Sequence, residues 1–446
     1  MDRAGATMSK INRVIGRRIY DSRGRPTIEV EVSVSTGISG RGIAPAGASR
    51  GIHEALEMRD GGNLLGGFDV SRAIALVNSE ISDALAGMDV HNQRQVDETM
   101  IALDGTASKS RLGANSLIAT SMAVLNAAAA HARQPLWRYL SNGKAARIPL
   151  PEIQIFGGGA HAGRRVDIQD FLIVPLAAES FSQAMIMASD VYWAAGAIMA
   201  EKSPPSGVAD EGGWWPNFAT NEEGLDILAR SIRRAGYDDG RVAISLDIAA
   251  SEFGRSNRYR PALEGRDFTR EEWMNVVLQW IKRYPIVSVE DPMSDIDTDG
   301  MIEFTRAAPR DIQIIGDDYL VTNAGRIAEA HADDACNAVL IKPNQAGTIT
   351  ETLAALTAAQ AVHWGTIMSA RSGESEDVSI AHLAVGWNAG QLKVGSFSRS
   401  ERMAKWNEVL RIEEMMGGEA QFAGKAALSG IRTAGIVSAD ADHSFK

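Results

Sequence analysis

Ile286-Val287-Ser288-Val289-Glu290-Asp291-Pro292 is a short β-branched run that ends on a carboxylate. Apolar runs without strict alternation belong to strands covered on both faces, as in a closed barrel. The pattern recurs on either side of this one. Val242-Ala243-Ile244-Ser245-Leu246 stops at Asp247, and Ile312-Gln313-Ile314-Ile315 stops just short of Asp317. Ala338-Val339-Leu340-Ile341 stops at Lys342, Thr366-Ile367-Met368 at Ser369, and Gln391-Leu392-Lys393-Val394 carries Lys393. A helical segment follows each run, so the chain beyond about residue 240 reads as βα units on a parallel sheet. In a (β/α) barrel the C-terminal strand ends converge on the active site, so polar residues placed there so regularly predict a site.

Upstream the pattern differs. Thr27-Ile28-Glu29-Val30-Glu31-Val32-Ser33-Val34 alternates strictly, which predicts an antiparallel strand with one wet face. From about Asn115 to Tyr139 the chain is rich in alanine and leucine at helical spacing, and this region ends near Pro149 and Pro151. Two units are expected: residues 1–145 as a small α+β domain and 146–446 as the barrel.

At 446 residues the chain can bury a sizeable core; 45% of it is apolar and 23% charged, a globular composition. A formal charge of −11 argues against nucleic acid or an anionic membrane surface as partner. It leaves room for a small anionic substrate, because a divalent ion and a few arginines can reverse the sign of one pocket. No apolar stretch approaches bilayer length, and the opening MDRAGATMSKINR lacks a secretory apolar core. Cys336 is the only cysteine, so no internal disulfide can form and a cytoplasmic setting is expected.

The carboxylates Asp247, Glu290 and Asp317 end three successive strands. Oxygen ligands on rigid strand ends suit a hard divalent cation, with Mg²⁺ the best fit. Lys342 and Lys393 stand at two further strand ends, where a cation and a second ammonium would push a lysine toward neutrality and let it act as a base. Proton abstraction from a carbon acid is the chemistry this predicts. Glu211, in the glycine-hinged stretch Asp210-Glu211-Gly212-Gly213-Trp214-Trp215-Pro216-Asn217, could protonate a departing hydroxyl, although the stretch reads equally as a turn with a capping acid.

From about residue 11 to residue 415 the chain resembles the enolases. The motifs that carry the likeness are Asp21-Ser22-Arg23-Gly24, Gly47-Ala48-Ser49, Asp210-Glu211-Gly212-Gly213, Ser288-Val289-Glu290-Asp291-Pro292, Gly316-Asp317-Asp318, Leu340-Ile341-Lys342 with Asn344-Gln345, Arg371-Ser372-Gly373-Glu374, and Arg399-Ser400-Glu401-Arg402. The resemblance implies an α/β fold, an enolase-type (β/α)8 barrel under an N-terminal α+β cap, as a homodimer with two Mg²⁺ per site. Asp247, Glu290 and Asp317 would hold the first magnesium, and Ser49 on a lid loop would join the second. Lys342 would be the base, Lys393 its electrostatic partner and Glu211 the group assisting hydroxide departure, while Asp170 would be a catalytic acid in place of the family's glutamate and His161 a catalytic lid residue near the substrate. Arg371 and Ser372 would grip a phosphoryl group, with Gln169 nearby; His161 as a lone histidine also admits a purely structural role.

The chain departs from the family pattern at the phosphoryl end. Ser369-Ala370-Arg371-Ser372 stands where enolases carry Ser-His-Arg-Ser, and Arg50 replaces a threonine beside the lid serine. Arg164 and Arg165 replace asparagines, and Asp170 replaces a glutamate. Lost bulk and added cations suggest a substrate with a larger, more anionic phosphoryl end, such as 2-phosphonoformylglycerate giving carboxyphosphonoenolpyruvate, the reaction of phosphonate-antibiotic relatives of the enolases. Ordinary dehydration of 2-phosphoglycerate and a non-catalytic enolase scaffold are the alternatives, the second opposed by the retained lysines and carboxylates.

Overall fold

The computed structural model describes residues 9–48 and 50–429. Its first unit is the antiparallel sheet β1 (Ile11–Tyr20), β2 (Pro26–Val34) and β3 (Ser39–Ile43), with β2 in the middle. Ile28, Val30, Val32 and Val34 are fully buried, as the alternation predicts. The opposite face of β2 is drier than expected at its start: Thr27 is buried with its hydroxyl donating to Ala44 O at 2.6 Å, and Glu29 is buried against Arg17.

Helix α1 (Ala114–His131) lies across β2 and β3. It stops well before Tyr139: Arg133 turns into the left-handed region at φ 55°, the Gln134 amide donates back to Ala129 O, and a second helix, α2 (Leu136–Ser141), starts after Pro135. Close approach is what the small residues provide. A Cβ on Gly42 would sit 2.4 Å from Ala119 O, so only glycine on the strand lets the alanine-rich helix come so near.

The second unit is a closed barrel of β4 (Leu150–Gly157), β5 (Asp170–Val174), β6 (Ala243–Asp247), β7 (Ile286–Glu290), β8 (Gln313–Gly316), β9 (Ala338–Ile341), β10 (Gly365–Ser369) and β11 (Gln391–Ser396), each beside the next and β11 closing on β4. Strands β6 to β11 coincide with the six runs read from the sequence. Two strands, β4 and β5, fall where no strand pattern was recognised, and they break the uniform parallel order. Strand β5 runs antiparallel to both β4 and β6, while the other pairs are parallel. Antiparallel neighbours need no helical crossover, so residues 158–169 join β4 to β5 as a loop with one short 3₁₀ turn. Two helices, α3 (Phe181–Lys202) and α4 (Asn221–Arg234), then follow in succession. No helix among the described residues is long and apolar enough to cross a membrane. Cys336 is a buried thiol.

The first unit docks on the barrel mouth through backbone. Ala46 and Gly373 exchange hydrogen bonds at 3.0 and 2.8 Å, and Ser22 N donates to Glu374 O at 2.7 Å. Asp21 organises that loop by accepting from the Arg23 and Arg25 amides, while the Arg23 guanidinium donates to Ala46 O.

Candidate active site

Alternation along each strand selects the inward side chains: Ser245 and Asp247, Ser288 and Glu290, Leu340 and Lys342, and Gln391 and Lys393 each share a face. Gln313 on β8 and Gln391 on β11 exchange amide hydrogen bonds at 3.0 Å although their strands are not neighbours, which identifies that face as the barrel interior. Asp170 begins its strand where the others end theirs. Because β5 is antiparallel, its first residue pairs with Asp247, the last of β6, and so reaches the same mouth.

Lys342, Lys393, Glu211, Asp170 and His161 line one cavity there, with Asp247. Gln169, Ala370, Arg371 and Ser372 line it as well. A larger cavity, about 690 Å³, lies outside the barrel between α3 and α4 and holds none of the candidate residues. Lys393 Nζ donates to Asp247 Oδ2 at 2.9 Å and Glu290 Oε2 at 2.7 Å and lies 3.5 Å from Asp170 Oδ2. Lys342 Nζ donates to Asp317 Oδ2. Gln169 Nε2 donates to Asp247 Oδ2 at 3.1 Å. His161 Nε2 lies 3.9 Å from Asp170 and 3.8 Å from Glu211, while its Nδ1 is buried without a hydrogen-bond partner.

Two features of the electrostatics bear on the expected lysines and acid. Burial works against the Lys393 ammonium, yet Asp247, Glu290 and Asp170 hold it well above the ordinary lysine range. Burial likewise opposes the charge on Lys342, and Asp317 reverses the effect, so that this lysine too is raised. The protein's own carboxylates thus favour the charged form of both lysines over the mutual repulsion of the ammoniums. The second feature concerns the acid. Burial raises Asp170 to about 6, whereas on Glu211 the pull of His161, Arg402 and the lysines overcomes burial and holds the carboxyl below its usual value. The carboxyl poised near neutrality is Asp170, not Glu211.

The donor set suits a hard cation. Burial, with Asp247 next, pushes Glu290 well up, and burial with Asp317 does the same to Asp291 and Asp318. Glu290 Oε1 and Asp318 Oδ1 are buried without a hydrogen-bond partner. Crowded carboxylates with unsatisfied oxygens are the environment that Mg²⁺ neutralises. One oxygen each of Asp291, Asp317 and Asp318 lies within 4.8 Å of the others, as do ligand atoms of His161, Asp170 and Glu211. Asp291 and Asp318 escaped the sequence reading as site residues, though both stood inside quoted motifs. Asp291 accepts from the Asp317 and Asp318 amides at 2.9 and 2.7 Å, tying β7 to the loop after β8.

Arg371 is buried and forks onto Glu54, at 3.0 Å to Oε2 and 3.3 Å to Oε1, with Asn344 Oδ1 at 3.3 Å. Glu54 also was not recognised in the sequence. Gln345 joins the same network, donating to Asp317 Oδ1 at 2.9 Å and Glu54 Oε1 at 3.3 Å. Three residues expected at the substrate do not reach the cavity. Arg50 is exposed and paired with Glu57 at 2.7 Å, Arg164 is 72% exposed on Glu252, and Arg165 donates to Asn217 from the surface. Each lies nearer a local acceptor than the barrel mouth. Ser49 lies outside the described residues.

Comparison with known proteins gives one consistent result. A family model described as the enolase C-terminal TIM barrel domain matches residues 145–430, and one described as the enolase N-terminal domain matches residues 11–140. The chain is 48% identical over 424 residues to Enolase 1 of Desulfitobacterium hafniense (strain Y51), spanning 94% of this chain and 97% of that protein.

Proposed function

This chain belongs to the enolase family of carbon–oxygen lyases, and from that premise we propose that it removes the α-proton of 2-phosphoglycerate and expels the β-hydroxyl as water, giving phosphoenolpyruvate. The observation that carries the reading is the meeting of Lys342 and Lys393 with Asp247, Glu290 and Asp317 at one barrel mouth. The 48% identity to a protein named Enolase 1 supports the unmodified substrate. The chain is divided at 145/146 into cap and catalytic barrel, and is taken as a cytoplasmic homodimer by the habit of the family.

In this reading Asp247, Glu290 and Asp317 would hold one Mg²⁺, and Ser49, outside the described residues, is assigned to a second by the family resemblance. Magnesium bound there would supply positive charge against the substrate carboxylate, the known pattern of enolase-superfamily sites. With Asp317 engaged by a cation and no longer by the ammonium, Lys342 would be free to lose its proton and take the α-proton, while Lys393 stays charged to stabilise the anion. On the far side Glu211 and Asp170, with His161 between them, deliver a proton to the departing hydroxyl. Arg371 and Ser372 hold the phosphoryl group, and Gln169 orients Asp247.

Two measurements test this. Turnover of 2-phosphoglycerate, followed by absorbance of the enol product, is expected to require Mg²⁺; a wild-type protein inert with the metal present overturns the reading. Mg²⁺ added to chelator-stripped protein is expected to raise the thermal midpoint, since an ion at a hundred times its Kd stabilises by about 2.7 kcal/mol. Glu290→Gln is expected to remove most of that gain. Undiminished stabilisation in the variant would take Glu290 out of the metal site.

Ala370 favours a second reading. It lines the cavity one residue from Arg371, where a larger side chain would take up space beside the phosphoryl group, so a modified substrate such as 2-phosphonoformylglycerate would fit. The three extra arginines give this reading no support in the charge it needs, being engaged elsewhere. Side-by-side assays of the two substrates decide between them. If the space at Ala370 sets the choice, Ala370→His with Arg50→Thr is expected to shift kcat/KM toward 2-phosphoglycerate by about 10-fold or more, the order of one pocket contact. An unchanged ratio would remove the second reading.

A further inference from the structure

Gln154 lies on β4, fully buried, and its amide spans two parts of the site. Its Nε2 donates to Asp170 Oδ1, and its Oε1 accepts from Gly213 N at 2.8 Å. Only one amide orientation serves both partners, since a carboxylate needs a donor and a backbone N–H an acceptor. The approach is so close that a Cβ on Gly213 would stand 2.5 Å from Gln154 Oε1, which explains glycine at that point of the loop. The same loop is stitched to β4 by Trp214 N donating to Ile155 O at 2.8 Å. Two residues before Gly213 along this loop is Glu211, and His161 stands between Glu211 and Asp170 at 3.8 and 3.9 Å.

We propose that Gln154 is a positioning residue for leaving-group departure, its amide tying Asp170 to the loop that carries Glu211 and so fixing the spacing of the two carboxyls around the substrate's β-hydroxyl. This rests on the enolase reading of the site. The spacing is shared between two side chains: Asp170 is short and Gln154 long. Moving one methylene from position 154 to position 170 conserves the combined reach while changing both residues.

The test compares Gln154→Asn, Asp170→Glu and the pair together, reading kcat and KM for 2-phosphoglycerate and exchange of the substrate's α-proton in deuterated solvent. Each single change is expected to lower kcat about 10- to 100-fold, the effect of misplacing a reacting group by about an ångström. KM and α-proton exchange should stay within about threefold of wild type, because the group that takes the proton, Lys342, is hydrogen-bonded to Asp317 and not to Gln154 or Asp170. The double variant is expected to recover at least about 10-fold over the weaker single variant, a coupling that independent sites do not show. Should the double variant misfold, Gln154→Met, of similar length without the amide, is expected to show the same loss of kcat with exchange retained. Losses that simply multiply, wild-type kcat in Gln154→Asn, or exchange falling in step with kcat would each overturn the role of Gln154 while leaving the enolase reading in place. A wild-type protein that neither exchanges nor dehydrates would overturn both.

Discussion

Lys342→Ala is expected to abolish exchange of the substrate's α-proton and to lower turnover about 10⁴-fold, the upper range for loss of a general base. The geometry makes the effect specific. Lys342 follows β9, its side chain shares the inward face with buried Leu340, and Pro343 behind it opens a helical turn that fixes where the backbone leaves the strand. The other ammonium in the cavity, Lys393, is held by Asp247 and Glu290. Removing Lys342 takes a cation from Asp317, which keeps the Gln345 hydrogen bond, so Mg²⁺ affinity should hold or rise. Exchange measured by proton resonance and metal affinity by calorimetry separate the two effects. Persistent exchange in the variant would assign the proton to another group.

Glu54→Ala is expected to cost about 3–5 kcal/mol of stability, the usual result of removing one partner from a buried ion pair. It should also raise KM for the phosphorylated substrate. Arg371 is buried at the mouth, and its fork onto Glu54 holds the guanidinium where a phosphoryl group would meet it. Without that carboxylate the guanidinium loses both its fixed direction and a large part of its compensation. Denaturant unfolding gives the stability term and steady-state kinetics the KM. A variant as stable as wild type would show that the remaining contacts of Arg371 suffice. Glu54→Gln should recover part of the KM and less of the stability, since it keeps hydrogen bonding without the charge.

Glu54 and Lys342 mark the two ends of what could be read in advance. Lys342 was legible because a buried β-branched run announces a strand locally, and the residue that ends it inherits a direction from the alternation of that strand. The same logic found Asp247, Glu290 and Asp317. Glu54 stands in an irregular loop and meets Arg371 across 317 residues of sequence. No local pattern marks such a pair. The arginines at 50, 164 and 165 mislead for the same reason: their type suggested a cationic pocket, and only packing showed Glu57, Glu252 and Asn217 as their partners.

By itself the sequence determined the six parallel strands, the charged residues at their tips and, through its motifs, the family. Only the tertiary structure decided that β5 runs against its neighbours, which carries Asp170 to the mouth from the start of a strand. It also decided which buried carboxyl sits near neutrality and which residue holds Arg371. The physical reason is range. Side-chain alternation and helical spacing are properties of consecutive residues, whereas strand direction, burial and charge neighbours are set by segments that meet only when the chain has folded.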